Sequence, residues 1–276
     1  MKRKIFLILI VSLLFSKIAF AALFEDNNDY IQKTSKGEIN WSKMLIRANG
    51  SNEDFINIYI DAAAKATDEE AAEASVNHNL LESIKELAIS SSYHVDDAVF
   101  IYEDIKKAID DVMKNAKIIS KGRTKGDILE IVKEVEITGE LLEVLLPKEE
   151  ILPEGLGKIF LGKIRYTSII FDATKTNFVP VLIPYISDDN DKMYFSLNKK
   201  NRGMAVQNGA VRYFKSIDAA KKSSFAGEFP YLVQDASLDS YKEDTLVFGY
   251  PVLKKVMDDG FYSQIINNCK IIIIVK

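Results

Sequence analysis

The sequence predicts an α+β protein: an N-terminal, mainly antiparallel sheet with two helices on one face, followed by a second α/β-type unit with a mixed sheet. Three observations lead there. Up to about residue 147 the periodicity runs strand, helix, short strand, helix, strand, strand, the order of an antiparallel sheet with segregated helices. The stretch "LLPKEEILPEGLGK", Leu145 to Lys158, gathers two prolines and two glycines and marks a boundary. Beyond it, the closing run "IIIIV" is continuously apolar, as strands in the middle of a sheet are. A chain of 276 residues, 47% hydrophobic and 28% charged, is long enough to bury more than one core.

The expected organisation is a signal peptide over 1–21, a flexible leader over 22–37, an α+β domain over 38–147, a linker over 148–158 and a C-terminal mixed α/β unit over 159–276. Lys2, Arg3 and Lys4 form a basic n-region, Ile5 to Phe15 an apolar core, and Ala19-Phe20-Ala21 a cleavage site, so the protein is expected to be exported. The apolar core is shorter than the ~20 residues that span a bilayer, which disfavours a retained anchor, and no later stretch approaches that length. Cleavage removes four of the 36 Lys and Arg and none of the 40 Asp and Glu, leaving 32 − 40 = −8. With no basic stripe to compensate, that charge disfavours nucleic acid and anionic lipid as partners. The single cysteine, Cys269, excludes an intramolecular disulfide and reads as a small core residue.

Within the first unit, Ile39, Trp41, Met44 and Ile46 alternate as a strand closing at Asn49-Gly50. Asp61 to Leu87 reads as a long amphipathic helix whose first half has a small-residue face suited to close packing on a sheet. "AISSSYHV", Ala88 to Val95, is short and β-prone, and a second helix is expected from acidic N-cap candidates Asp96 and Asp97 through Val112. "KIISKGRTKGDILEIVKEVEIT" reads as strand, turn and long strand. In the second unit, "IRYTSIIFDA", "FVPVLIPYIS", "PYLVQDASL" and "CKIIIIVK" are strand candidates, "SIDAAKK" and "PVLKKVMDDG" helices, and "DDNDK" a hairpin or loop.

The chemistry-bearing motifs each meet a plainer alternative. Asp172, Thr174 and Thr176 match the Asp-x-Thr-x-Thr of phosphotransferases with an aspartate nucleophile, which also need a lysine and further acidic metal ligands. The residues that follow offer only Asp258-Asp259. The next apolar run begins at Phe178, too soon for a parallel crossover of roughly a dozen residues, so the two strands are expected to be antiparallel neighbours and Asp172 a turn residue. "DDNDK", Asp188 to Lys192, has Lys192 and Met193 where a calcium loop needs a ligand and a glycine. Gly155 and Gly157 lack the third glycine of a dinucleotide motif, its place taken by Phe160, and Ser196-x-x-Lys199 lacks companion motifs. His78 and Glu82 lie one helical turn apart, but the only other histidine is His94, beyond that helix. No catalytic residue, cofactor or metal site is assigned, and the protein is expected not to be an enzyme.

"INWSKMLIRANG", the helix ending "NHNLLESIKELAIS", and the "VDDA" helix running into "VMKNAKIISKGRTKGDILEIVKEVEITGELLEVLLP" together resemble the bacterial lipoprotein-twenty (Lpp-twenty) family, with Trp41, Asn79, Leu80, Leu81, Glu82, Ala116 and Gly139 as the matching positions. The second half also looks like the extension of longer relatives. The resemblance implies a periplasmic or outer-envelope protein, with envelope or flagellar-structure assembly as its role and other envelope proteins, or its own copies, as partners. Two departures stand out: Glu86 replaces a usual glycine, and Ala22 stands where a lipoprotein carries its anchoring cysteine, so no lipid anchor is expected. The alternatives are a periplasmic small-ligand-binding module with a pocket between the two units, or a phosphotransferase using Asp172. Amino-terminal sequencing of the exported protein is expected to begin at Ala22; a start at Met1 in the envelope fraction would contradict cleavage.

Overall fold

In a computed structural model the described residues are 23–24, 28–54, 66–147, 166–258 and 261–276. The expected signal segment, the linker over 148–158 with Gly155 and Gly157, residues 159–165 and Asp259 lie outside them. The molecule is mixed α+β, as its periodicity predicts.

The first half opens with β1 (Ile31–Lys33), β2 (Gly37–Asn40) and β3 (Leu45–Ser51). Order therefore begins earlier than Gly37: the expected leader contains β1 and buries Phe24 and Asp29, because the Phe24 ring lies under the Arg47 guanidinium, 4.3 Å from its centre. The expected single strand from Ile39 to Asn49 is instead a hairpin. Asn40 Oδ1 accepts the Lys43 N–H at 2.9 Å and Met44 takes a positive φ of 58°, which turns the chain at Trp41 to Met44.

Next come α1 (Asp68–Lys85), β4 (Ala88–Ser90), β5 (Tyr93–His94), α2 (Val95–Ile101), α3 (Glu103–Lys114), β6 (Lys117–Arg123), β7 (Leu129–Glu136) and α4 (Glu140–Leu145). The helix expected from Asp61 starts, within the described residues, at Asp68. Thr67 caps it reciprocally: its hydroxyl accepts the Glu70 N–H, and the Glu70 carboxylate accepts the Thr67 N–H at 2.8 Å. The helix expected from Asp96 is two helices. His94 precedes the first, with Asp97 accepting its N–H at 2.9 Å, and Tyr102 is extended (φ −120°, ψ 115°), so a new helix starts at Glu103 and Asp104, whose charges suit a helix N-terminus.

β1-β2-β3-β7-β6 form one antiparallel sheet, and α1 lies close on it. A Cβ on Gly50 would sit 2.1 Å from the Val76 N and one on Gly37 2.3 Å from the Arg47 O, so the small residues here let the helix and chain approach. Ala72 and Ser75 continue the small face, and Asn79 Nδ2 donates to the Asn49 O at 2.7 Å.

The second half contains β8 (Ser168–Asp172), β9 (Tyr185–Asp188), β10 (Met193–Phe195), α5 (Arg202–Asn208), β11 (Arg212–Phe214), α6 (Ile217–Lys222), β12 (Pro230–Val233), β13 (Ser237–Leu238), β14 (Thr245–Phe248), α7 (Tyr250–Asp258), α8 (Tyr262–Asn267) and β15 (Ile271–Ile274). These strands make two sheets, β11-β15-β8-β12, parallel throughout, and β10-β9-β14-β13, which is mixed. β15, the "IIII" run, is an inner strand and fully buried. The run "FVPVLIP" is not a strand of either sheet, because Pro180 and Pro184 lack the N–H a ladder needs. It lies along β4 instead, where Leu182 and Ile183 donate their N–H groups to the carbonyls of Ala88 and Ile89 at 2.9 and 3.1 Å.

A single apolar core joins the halves, running from Ile39, Trp41 and Leu80 through Phe171 and Phe248 to Ile273. Replacing Gly50 by alanine is expected to lower the unfolding free energy by about 3 kcal/mol, since backbone rather than a yielding side chain would have to move. Gly122→Ala, where a Cβ meets nothing within 4 Å, is the matched control in urea unfolding and is expected to change stability little.

Candidate functional site

Asp172 ends β8, whose hydrogen-bonded neighbours are β15 and β12, both parallel to it. This corrects the expectation of an antiparallel partner: the chain leaving Asp172 crosses to β4, and the β8 ladder is completed by strands that come much later in the sequence. The carboxyl edge of an open parallel sheet is where ligands commonly bind, so the position itself is suited to chemistry.

The side chains at that edge are nevertheless engaged with one another. Thr174 donates to Asp172 Oδ1 from its backbone N–H at 3.1 Å and from its hydroxyl at 2.7 Å. Gln234, just past β12, reaches Oδ2 at 3.5 Å. Thr176 donates its N–H and its hydroxyl to the Ala173 carbonyl, and Lys175 pairs with Asp235 at 2.8 Å. Burial pushes the Asp172 carboxyl up, but the Thr174 hydroxyl and N–H, the Gln234 amide and the Lys175 charge outweigh it and hold the group below the usual carboxylate range. The Asp-x-Thr-x-Thr pattern thus builds the reversal that carries the chain out of the sheet.

The other singled-out residues do not converge. Asp188 is buried in the β9–β10 turn, accepting the Asn190 and Lys192 N–H groups at 2.8 and 3.0 Å and the Tyr194 hydroxyl at 3.1 Å. Glu82 pairs with Lys85 at 2.8 Å, one turn from His78 on α1. Ser196 and Lys199 lie before α5, with Asn201 Nδ2 donating to the Ser196 carbonyl. Cys269 is fully buried and its thiol is pushed up to about 12 by burial. Among the described residues no three His, Cys, Asp or Glu side chains are grouped to hold a metal.

Two features had no sequence signal beyond ordinary polarity or hydrophobicity. A cavity of about 350 Å³ opens between the end of α3, the β6–β7 pair and the start of α4, lined by Val112, Lys117, Glu134, Glu136 and Gly139. Arg47 holds Glu134 at 2.6 Å and Lys117 holds Glu136 at 2.6 Å, so two of its three lining carboxylates are paired, the third being Glu140. At the break between α2 and α3, Phe100, Ile101 and Tyr102 stand 93%, 61% and 52% exposed in succession.

Residues 168–276, from the first residue of β8 onward, match the family model described as the second domain of Treponema pallidum Tp0624. No curated protein matches the chain. The second half is thus similar to a bacterial domain that accompanies another in its own protein, and the match does not extend the Lpp-twenty resemblance over it.

Asp172→Ala is expected to lower the unfolding free energy by about 1–2 kcal/mol at pH 7, through the lost bonds to Thr174 and Gln234. Because the folded carboxyl titrates below its unfolded value, the charge-dependent part is present above roughly pH 4 and lost as pH falls through the folded value. Urea unfolding at pH 7 and pH 3 should therefore show the difference between variant and wild type shrinking in acid.

Proposed function

We propose that the protein is a non-enzymatic, exported component of the cell envelope that acts through protein contacts. The observation that carries this reading is the run of exposed apolar side chains Phe100, Ile101 and Tyr102, a type of surface that soluble proteins keep for partners. Asp96, Asp97 and Glu103 flank it and are exposed, so the fitting partner presents an apolar surface with a basic rim. The predicted signal segment supports export to a periplasmic or outer-envelope location, and the likeness of the second half to the second domain of a bacterial protein supports a two-unit bacterial protein. The Lpp-twenty resemblance of the first half supports a role in envelope or flagellar-structure assembly, beside other envelope proteins or further copies of this chain. No described helix is long and apolar enough to cross a membrane.

A second reading, a small-ligand-binding module, is favoured by the cavity beside α3, whose volume of about 350 Å³ lies within the range of ligand pockets. That cavity lies inside the first half rather than between the halves. Phosphotransfer at Asp172 is weighed against by the engagement of Asp172, Thr174 and Thr176 in the turn.

A photo-crosslinking residue at position 100, activated in intact cells, is expected to capture defined envelope proteins, identified by mass spectrometry. The same residue at exposed Lys36 should not, and Ile101→Ser with Tyr102→Ser should abolish capture while leaving stability within about 0.5 kcal/mol. Identical capture from both positions, or phosphate-ester turnover lost in Asp172→Asn, would overturn the proposal.

A further inference from the structure

At the amino-terminal rim of the parallel sheet two cations approach one aromatic ring. The Arg212 guanidinium lies 4.8 Å and the Lys270 ammonium 4.4 Å from the centre of the Phe225 ring. Arg212 opens β11 and Lys270 immediately precedes β15. Since Arg212 pairs in register with Ile272, Lys270 is its diagonal neighbour on the same face of the sheet, with Cα atoms about 8 Å apart from one strand spacing and two residues of rise. That face also carries Phe214, Ile272 and Phe225, so the cations stand at the end of an apolar layer.

The fold engages only part of this pair. Arg212 directs Nε to the Asn208 carbonyl at 3.1 Å and Nη1 to the Ser42 carbonyl at 2.9 Å, and no described group accepts from Nη2. No described carboxylate lies within ion-pair distance of Lys270. The nearby acid, Asp29, attracts Arg212 but is itself bound by Lys43 at 2.9 Å and Asn40 at 2.7 Å. Burial, and then the Arg212 charge, hold the Lys270 ammonium below the usual lysine range, so the two cations are partly desolvated and repel each other. In a mature chain of expected net charge −8, such a spot stands out electrostatically. The ring contacts with Phe225 offset part of the cost, and an anion would offset the rest.

We propose that Arg212 Nη2 and Lys270 Nζ form an oxyanion-binding subsite that takes a dianionic phosphate group, with Phe225 fixing the spacing of the two cations. A fork-shaped guanidinium beside a point-charge ammonium suits a group with several acceptor oxygens, and a dianion answers both charges where a monoanion answers one. The site is separate from the Phe100 patch and independent of the partner reading.

The test uses the whole mature chain with inorganic phosphate as probe, titrated by calorimetry and by thermal unfolding against sodium chloride of equal ionic strength, with acetate as the monoanion. Phosphate is expected to bind and to raise the unfolding temperature above both comparators. Lys270→Gln should weaken phosphate binding about tenfold, whereas Lys36→Gln, which makes the same charge change at an exposed site, should leave it unaltered. Absence of a phosphate effect in the wild-type chain, an effect matched by acetate, or equal losses in the two lysine variants would each overturn the proposal.

Discussion

The two halves meet where the turn at Trp41 and Ser42 packs against Tyr213 of β11, an engagement reinforced by the β4 bonds of Leu182 and Ile183 and by the Arg202–Glu143 pair. The indole and phenol rings meet edge-on with centroids 5.5 Å apart, the Ser42 hydroxyl donates to the Tyr213 carbonyl, and Arg212 returns a bond to the Ser42 carbonyl. The Tyr213 hydroxyl, fully buried, donates to the Val181 carbonyl and accepts the Val181 N–H. That pair of bonds sets the path of the proline-bearing segment, which then runs along β4. Asp29 bridges to Phe214 on the same seam, so the chain before β1 is fixed by the second half as well as by its own sheet. Ser42, Tyr213 and Asp29 are each buried with a partner, which makes the seam specific as well as apolar.

Close approach is the second constraint. Gly37 and Gly50 let α1 lie against β2 and β3 at a separation that any side chain would block, and Asn79 ties that helix to the strand carbonyl beneath it. The first sheet can therefore keep its α1 face tightly closed while its edge strand β6 remains open to solvent along its length. Lysine and arginine on β6, with a register shift between Ile118 and Ser120, make that open edge a poor template for further strands.

Much of this was legible in residues and their spacing. The small face of α1, the β6–β7 hairpin, the short helix at "SIDAAKK" and the buried strand "IIIIV" all follow from local periodicity, because each is decided by neighbours close in sequence. The surroundings of Asp172 were not. Whether β8 is parallel or antiparallel to its neighbours depends on β12 and β15, about 60 and 100 residues further on, and nothing local encodes that pairing. The short gap before Phe178 imitates a hairpin, and only Pro180 and Pro184 argue otherwise. The turn bonds of Asp172 were legible all the same, since Asp-x-Thr is a local pattern. The Arg212–Phe225–Lys270 group was illegible for the same reason as the parallel sheet: its members meet only through strand register.

The seam also bears on how the chain folds. Ser42 and Tyr213 are separated by 171 residues, so the bonds that tie the Trp41 turn to the second half cannot form until β11 has been made and delivered. Contacts of such long sequence separation close large loops before they return any stabilisation, and they slow folding. For a chain made from its amino terminus, this leaves the leading half waiting, its seam surface uncovered, until most of the sequence has been produced.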